Sequence, residues 1–235
     1  MQRRLRLLSK PVSTLFPILL VLAWVLAAVP GANSQTQVAG VHFKWSLAAL
    51  ANPKTDRQLI SIDRFAELRS GDQLKFYLEP INPSYLYLFH VSPQGKLTVL
   101  FPTQGKYTDA PAMGGDFIPP GGAWFILDDV VGKEKFYLIA ASRQLKELEF
   151  HLAQHLHLTN PEEIRHSTAN VLAEIKKLRQ KNRTLTVPAE KPVRLGGNFR
   201  GSETDSPKIT AEIVKIARDV TAEYFYSRII TIDHR

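Results

Sequence analysis

Between residues 41 and 142 the apolar positions come in short runs broken by turn residues, the pattern of strands rather than helices. Ser70-Gly71-Asp72 marks a turn, after which residues 73–79 alternate, with Leu74, Phe76 and Leu78 on one face. Asn82-Pro83 turns the chain again. Residues 84–92 are apolar on both faces, with Tyr85, Tyr87, Phe89 and Val91 on one and Leu86 and Leu88 on the other. That double-sided run predicts a strand covered on both sides. Pro93-Gln94-Gly95 joins it to residues 96–101 as a hairpin. Residues 102–122 form a loop rich in Gly and Pro, and residues 123–127 and 134–141 read as a second hairpin around 128–132.

The periodicity changes at Arg143. Leu145, Leu148, Leu152 and Leu156 fall near helical spacing. Asn160-Pro161-Glu162-Glu163 is a helix start, with a capping side chain, proline at the first position and glutamate at the third. Ile164, Val171, Ile175 and Leu178 continue one apolar stripe, so residues 143–182 read as a helical hairpin. Residues 183–208 form a Gly/Pro-rich linker. Residues 209–220 fit either a helix or a strand, and residues 224–232, aromatic and β-branched, read as a strand. The expected fold is mostly β, an antiparallel sandwich of immunoglobulin-like or jelly-roll-like type with an inserted helical hairpin.

The first residues follow a different logic. Arg3, Arg4, Arg6 and Lys10 precede an uncharged apolar run from residue 15 to residue 29, and Ala32-Asn33-Ser34 offers small residues at a cleavage site. A basic start, a short apolar middle and a small-x-small exit describe a secretory signal peptide over residues 1–34. The run is shorter than the roughly 20 apolar residues of a permanent span, so no stable membrane span is expected after cleavage. Residues 35–235 are then one domain, exported to the bacterial periplasm or cell envelope. The chain has no cysteine, so burial and hydrogen bonding alone must hold it.

Charge sharpens the picture only in one segment. Residues 35–142 hold ten basic and ten acidic groups, residues 143–200 eleven and six, and residues 201–235 five and six. The excess gathers at Lys176, Lys177, Arg179, Lys181 and Arg183, five basic groups in eight residues. Such a cluster offsets the dipole at a helix C-terminus and also suits an anionic surface polymer or an acidic patch on an envelope protein. Export separates the chain from nucleic acid.

Leu68–Leu78 as LRSGDQLKFYL, residues 85–102 as YLYLFHVSPQGKLTVLFP and residues 132–142 as GKEKFYLIAAS carry a recurring set of motifs. In order these are Ser70-Gly71-Asp72, Tyr85 with Tyr87, Gly95, Leu100-Phe101-Pro102, Gly132 with Glu134, and Ala141-Ser142. Over about residues 60–142 the chain resembles a bacterial family of unassigned function, DUF4384-like, found in exported proteins and beside peptidase-like or kinase domains. The resemblance implies a β-rich accessory module and carries over no catalytic residue.

Candidate chemistry is sparse. His151 and His155 stand at i, i+4 on the first expected helix, where both imidazoles could reach one ion; His157 points elsewhere, and zinc usually takes three or four protein ligands. The histidines are expected to face solvent between the leucines. Asp128, Asp129 and Glu134 lack an EF-hand rhythm and read as turn chemistry. Ser, His and Asp are all present, but neither a Gly-x-Ser-x-Gly elbow nor a P-loop ending to Gly196–Gly201 occurs. His90, on the Leu86/Leu88 face, is expected to be half-buried and hydrogen-bonded. The leading expectation is a non-enzymatic envelope module that binds a protein partner or surface polymer and needs no cofactor. A metal-binding periplasmic protein using His151 and His155, or a hydrolase, are the alternatives.

Overall fold

A computed structural model describes residues 40–52, 58–102, 112, 114–183, 189–191 and 206–235. The expected signal peptide and the glycine cluster at 196–201 lie outside the described residues. In chain order the elements are β1 (Val41–Ala51), β2 (Gln58–Ile62), β3 (Phe65–Leu68), β4 (Gln73–Pro80), β5 (Tyr85–Val91) and β6 (Leu97–Phe101). There follow β7 (Asp116–Ile118), β8 (Phe125–Ile126), β9 (Gly132–Ala141), α1 (Lys146–Leu156) and α2 (Pro161–Lys181). The chain ends with β10 (Ala189–Lys191), α3 (Ser206–Lys215), β11 (Arg218–Ala222) and β12 (Phe225–His234).

Two sheets face each other. The larger runs β10-β11-β1-β4-β7, with β2 also pairing β1 and β8 pairing β4; the smaller runs β3-β12-β9-β5-β6. The fold is therefore a mostly β sandwich, antiparallel except where β3 runs parallel to β12. Alternation builds the core between the sheets. Phe43, Trp45 and Leu47 of β1 and Leu74, Phe76 and Leu78 of β4 meet Leu86 and Leu88 of β5, Leu138 of β9 and Ile230 of β12, all buried.

Each sheet is also covered on its outer face. Tyr87 and Phe89 of β5 and Ile139 of β9 pack beneath Leu148 and Leu152 of α1 and Val171 and Ile175 of α2. That is the double coverage expected of residues 84–92. Tyr87 also anchors α1, its hydroxyl donating to Glu149 Oε1 at 2.5 Å and accepting from the Leu145 amide at 3.3 Å. The start of α2 is capped as expected, the Asn160 side chain accepting from the amides of Glu162 and Glu163, with Pro161 in the first turn. On the far side, Ile209, Ile213 and Ile216 pack α3 against Ala48 and Tyr77, and the Ser46 hydroxyl donates to the Ile213 carbonyl at 2.8 Å. Among the described residues no helix is long and apolar enough to cross a membrane.

Four expectations change, the first being the loop expected at 102–122, which holds β7 paired to β4 because Phe117 and Ile118 pack with the core of that sheet. The hairpin around 128–132 does not form, because β8 pairs β4 in the other sheet while both edges of β9 are taken by β5 and β12. The paired bonds Gly71 N to Leu127 O and Leu127 N to Asp72 O hold the 125–127 segment against the turn that opens β4. Residues 209–220 resolve the helix-or-strand ambiguity by being both, α3 then β11. The stretch read as linker holds β10 and the start of α3.

The outer face of β4 carries two polar groups in apolar surroundings. Lys75 is fully buried, donating to the carbonyls of Gly121 (2.7 Å) and Ala123 (2.5 Å) beneath the Phe117 and Trp124 rings. Burial lowers its pKa from the ordinary 10.5. Burial, helped by a hydrogen bond to Glu79 and that carboxylate's charge, pushes the Tyr77 phenol from 10.0 up to about 12. Between those values the folded phenol keeps a proton that the unfolded chain has lost, so stability falls as pH rises. The contribution is whole below pH 10.0. Urea midpoints measured across this window should fall more steeply for the native protein than for Tyr77→Phe. Parallel curves would contradict the assignment.

Candidate functional site

The last turns of α2 present the basic cluster on two sides of one helix. Lys176 and Arg179, at i and i+3, share one face of α2, and Arg183 follows just past the C-cap Asn182. With Gln180 and Asn182 they line a hollow of about 470 Å³ closed by Phe225, Tyr226 and Ser227 at the start of β12. Arg179 Nε donates to Ser227 Oγ at 3.2 Å, which fixes one cation at this wall. The same guanidinium opposes the rise that burial imposes on the Tyr137 phenol. On the other side, Lys177 and Lys181 join Lys146 around a hollow of about 330 Å³. Arg143 and Lys181 border a third, of about 370 Å³, beside Tyr224 and Phe225.

The five expected cations are thus brought together, and all are exposed. Lys177 pairs with Glu174 at 3.0 Å, and no described carboxylate lies within ion-pair distance of the other four. The helix end is closed by Asn182, whose side-chain amide donates to the Leu178 carbonyl at 2.7 Å.

His151 and His155 do not share a site. The buried residues of α1 are Leu148, Leu152 and His155, spaced i, i+4 and i+7, so His155 takes the inner position and Leu156 is exposed. This corrects the expectation of solvent-facing histidines at His155. Its Nδ1 lies 3.2 Å from Ser167 Oγ and its Nε2 3.4 Å from the Leu97 carbonyl, so both nitrogens are engaged between α2 and β6. His151 stands edge-on to Phe150. Among the described residues no group of three or more potential ligands is assembled.

Asp128 behaves as turn chemistry, its carboxylate accepting from the Val130 amide at 2.8 Å. Glu134 borders the same cavity as Asp128 but takes no part in that turn. It lies in the core, with Oε2 2.5 Å from His90 Nε2 and Oε1 3.8 Å from the buried His234 Nδ1. His234 Nε2 in turn lies 3.0 Å from the Ser70 hydroxyl. His90 is half-buried and hydrogen-bonded, as expected, and its ring lies against Phe136.

The Ser70–His234–Glu134–His90 chain was not read from the sequence, although a signal was there. Each of three inward-facing apolar rows ends in a titratable residue: Leu86-Leu88-His90, Phe136-Leu138 preceded by Glu134, and Ile230-Ile232-His234. Sheet register brings these row ends together, since β9 pairs both β5 and β12. The order of groups mimics a nucleophile, base and orienting carboxylate. Two features weigh against acyl transfer. His234 Nδ1 is beyond hydrogen-bond reach of Glu134, and the amides of Arg69, Gly71 and Asp72 around Ser70 are all committed to internal acceptors.

Residues 67–144 match the family model described as a domain of unknown function (DUF4384), in agreement with the resemblance drawn from the motifs. No curated protein and no solved structure matches the chain. The motif positions do structural work. Asp72 accepts from the Asn52 and Arg69 amides, Gly71 and Gly95 take positive φ in tight turns, and a Cβ on Gly132 would strike Pro93 at 2.7 Å. The matched segment ends before α1, so the basic face lies outside it.

Proposed function

We propose that this chain is an exported, non-enzymatic module of the bacterial cell envelope that docks an acidic protein patch or an anionic surface polymer on the C-terminal face of α2. The observation that carries this reading is the set of exposed cations from Lys176 to Arg183, four of them without a described carboxylate partner, three of which line a hollow of about 470 Å³ with no carboxylate among its described lining residues. Exposed charges of one sign raise the local concentration of an oppositely charged partner and steer its approach. A basic helix end that only balances its own dipole needs no hollow walled by another strand.

The alternatives have less support. A metal centre at His151 and His155 conflicts with the engagement of both His155 nitrogens inside the fold. A hydrolase centred on Ser70 lacks free amide donors around that hydroxyl.

Export and docking are tested separately. The protein recovered from the envelope fraction should begin at Gln35 by intact mass, and an unprocessed chain confined to the cytosol would refute export. Chemical cross-linking of intact cells, followed by recovery of the tagged protein, should return one dominant partner from the envelope. Return of the bare chain alone would count against docking. A polysaccharide-degrading treatment that removes the product would identify the polymer arm.

A further inference from the structure

A further cavity, of about 180 Å³, lies at the opposite end of β9 from the helices' basic face and is lined by Leu74, Leu100, Phe125, Leu127 and Phe136 together with the His90–Glu134 pair. Asp128 also contributes to its lining, and among the described residues no Lys or Arg does. Its lip is apolar and exposed, with Ile126 63% and Val130 41% accessible. An apolar pocket with a few convergent polar groups is the ordinary form of a small-ligand site. A dry cavity of about 150 Å³ already accepts benzene, so this one has room for a single ring.

The polar groups decide what the ring should carry. Glu134 is an acceptor whose side chain is only 7% exposed, so it is poorly solvated and depends on protein or ligand donors. His90 occupies one of its oxygens; among the described residues the other has His234 Nδ1 nearby, at 3.8 Å, too far for a hydrogen bond. Asp128 adds a second carboxylate, so the lining favours a cation over an anion.

The geometry points to a binding site for a small apolar cation: a protonated amine on a single ring or short branched chain, with Glu134 as its counter-ion. The apolar body fills the space among Leu100, Phe125 and Phe136, and the ammonium donates to the Glu134 carboxylate. This site is independent of the basic face of α2, and its ligand has the opposite charge.

The test titrates benzylamine, benzyl alcohol and benzoate into isotopically labelled protein and follows the amide resonances of residues lining the cavity. Benzylamine should give saturable shifts, benzoate none, and benzyl alcohol binding at least tenfold weaker. Glu134→Gln should weaken benzylamine at least tenfold, and Leu100→Trp, which fills the cavity from a half-buried wall, should abolish its shifts. Leu100→Trp serves as the decisive variant if Glu134→Gln does not fold. The proposal is overturned if benzylamine gives no saturable shift, if the alcohol or benzoate binds as well, or if a folded variant binds benzylamine unchanged.

Discussion

Phe89→Ala is expected to cost about 3–5 kcal/mol of unfolding free energy, as measured by urea denaturation. Phe89 is fully buried on the outer face of β5, against the apolar stripe of α1 and α2. Removing its ring deletes the surface on which the helical pair rests and leaves a cavity that a paired strand cannot close. The loss should be matched by Leu152→Ala from the helix side, at about 2–5 kcal/mol. The double variant should cost less than the sum, because the two residues belong to one cluster. Full additivity, or a change under about 1 kcal/mol, would mean that α1 and α2 do not pack on this sheet.

Joint substitution of Lys176, Arg179 and Arg183 by Gln is expected to weaken partner binding at least tenfold, about 1.4 kcal/mol, and to flatten its salt dependence. These three side chains line one hollow, and none has a carboxylate partner among the described residues. Among the described residues their removal breaks no ion pair and one exposed hydrogen bond, Arg179 to Ser227, so stability should change by no more than about 0.5 kcal/mol per site. A matched control removes the exposed Lys96, Lys133 and Lys135, which lie on β9 and the β5–β6 turn. The net charge change is the same. Equal loss in both variants would assign the effect to bulk charge rather than to the α2 face. Binding should be measured at two ionic strengths, since screening acts on exposed charges far more than on buried ones.

The sandwich was legible where turn residues and period-two alternation coincide. Gly71 and Asp72 open β4, Leu74, Phe76 and Leu78 then face inward, and the double-sided apolar run of β5 announced a layer on each side. The cap at Asn160 made the start of α2 equally plain. What failed was pairing. The short run at 123–127 looked like the neighbour of 134–141 in sequence, yet long-range backbone bonds to Gly71 and Asp72 place it in the other sheet. His155 was misplaced for a simpler reason: a 3.6-residue period puts the third inward position at i+7 rather than i+8. The basic face could be read because its members are adjacent in the chain. The Glu134 cluster could not, because Ser70 and His234 are 164 positions apart and meet only through strand register.

If the C-terminal face of α2 is where the proposed module meets its partner, a photoreactive residue at position 180 will capture that partner. Gln180 is exposed and lines the basic hollow. Irradiation of intact cells should yield one dominant cross-linked product from this position and none from a matched probe at position 133. The product should vanish when Lys176, Arg179 and Arg183 are replaced by Gln. Absence of any product at position 180, or the same products from both positions, would contradict docking on this face.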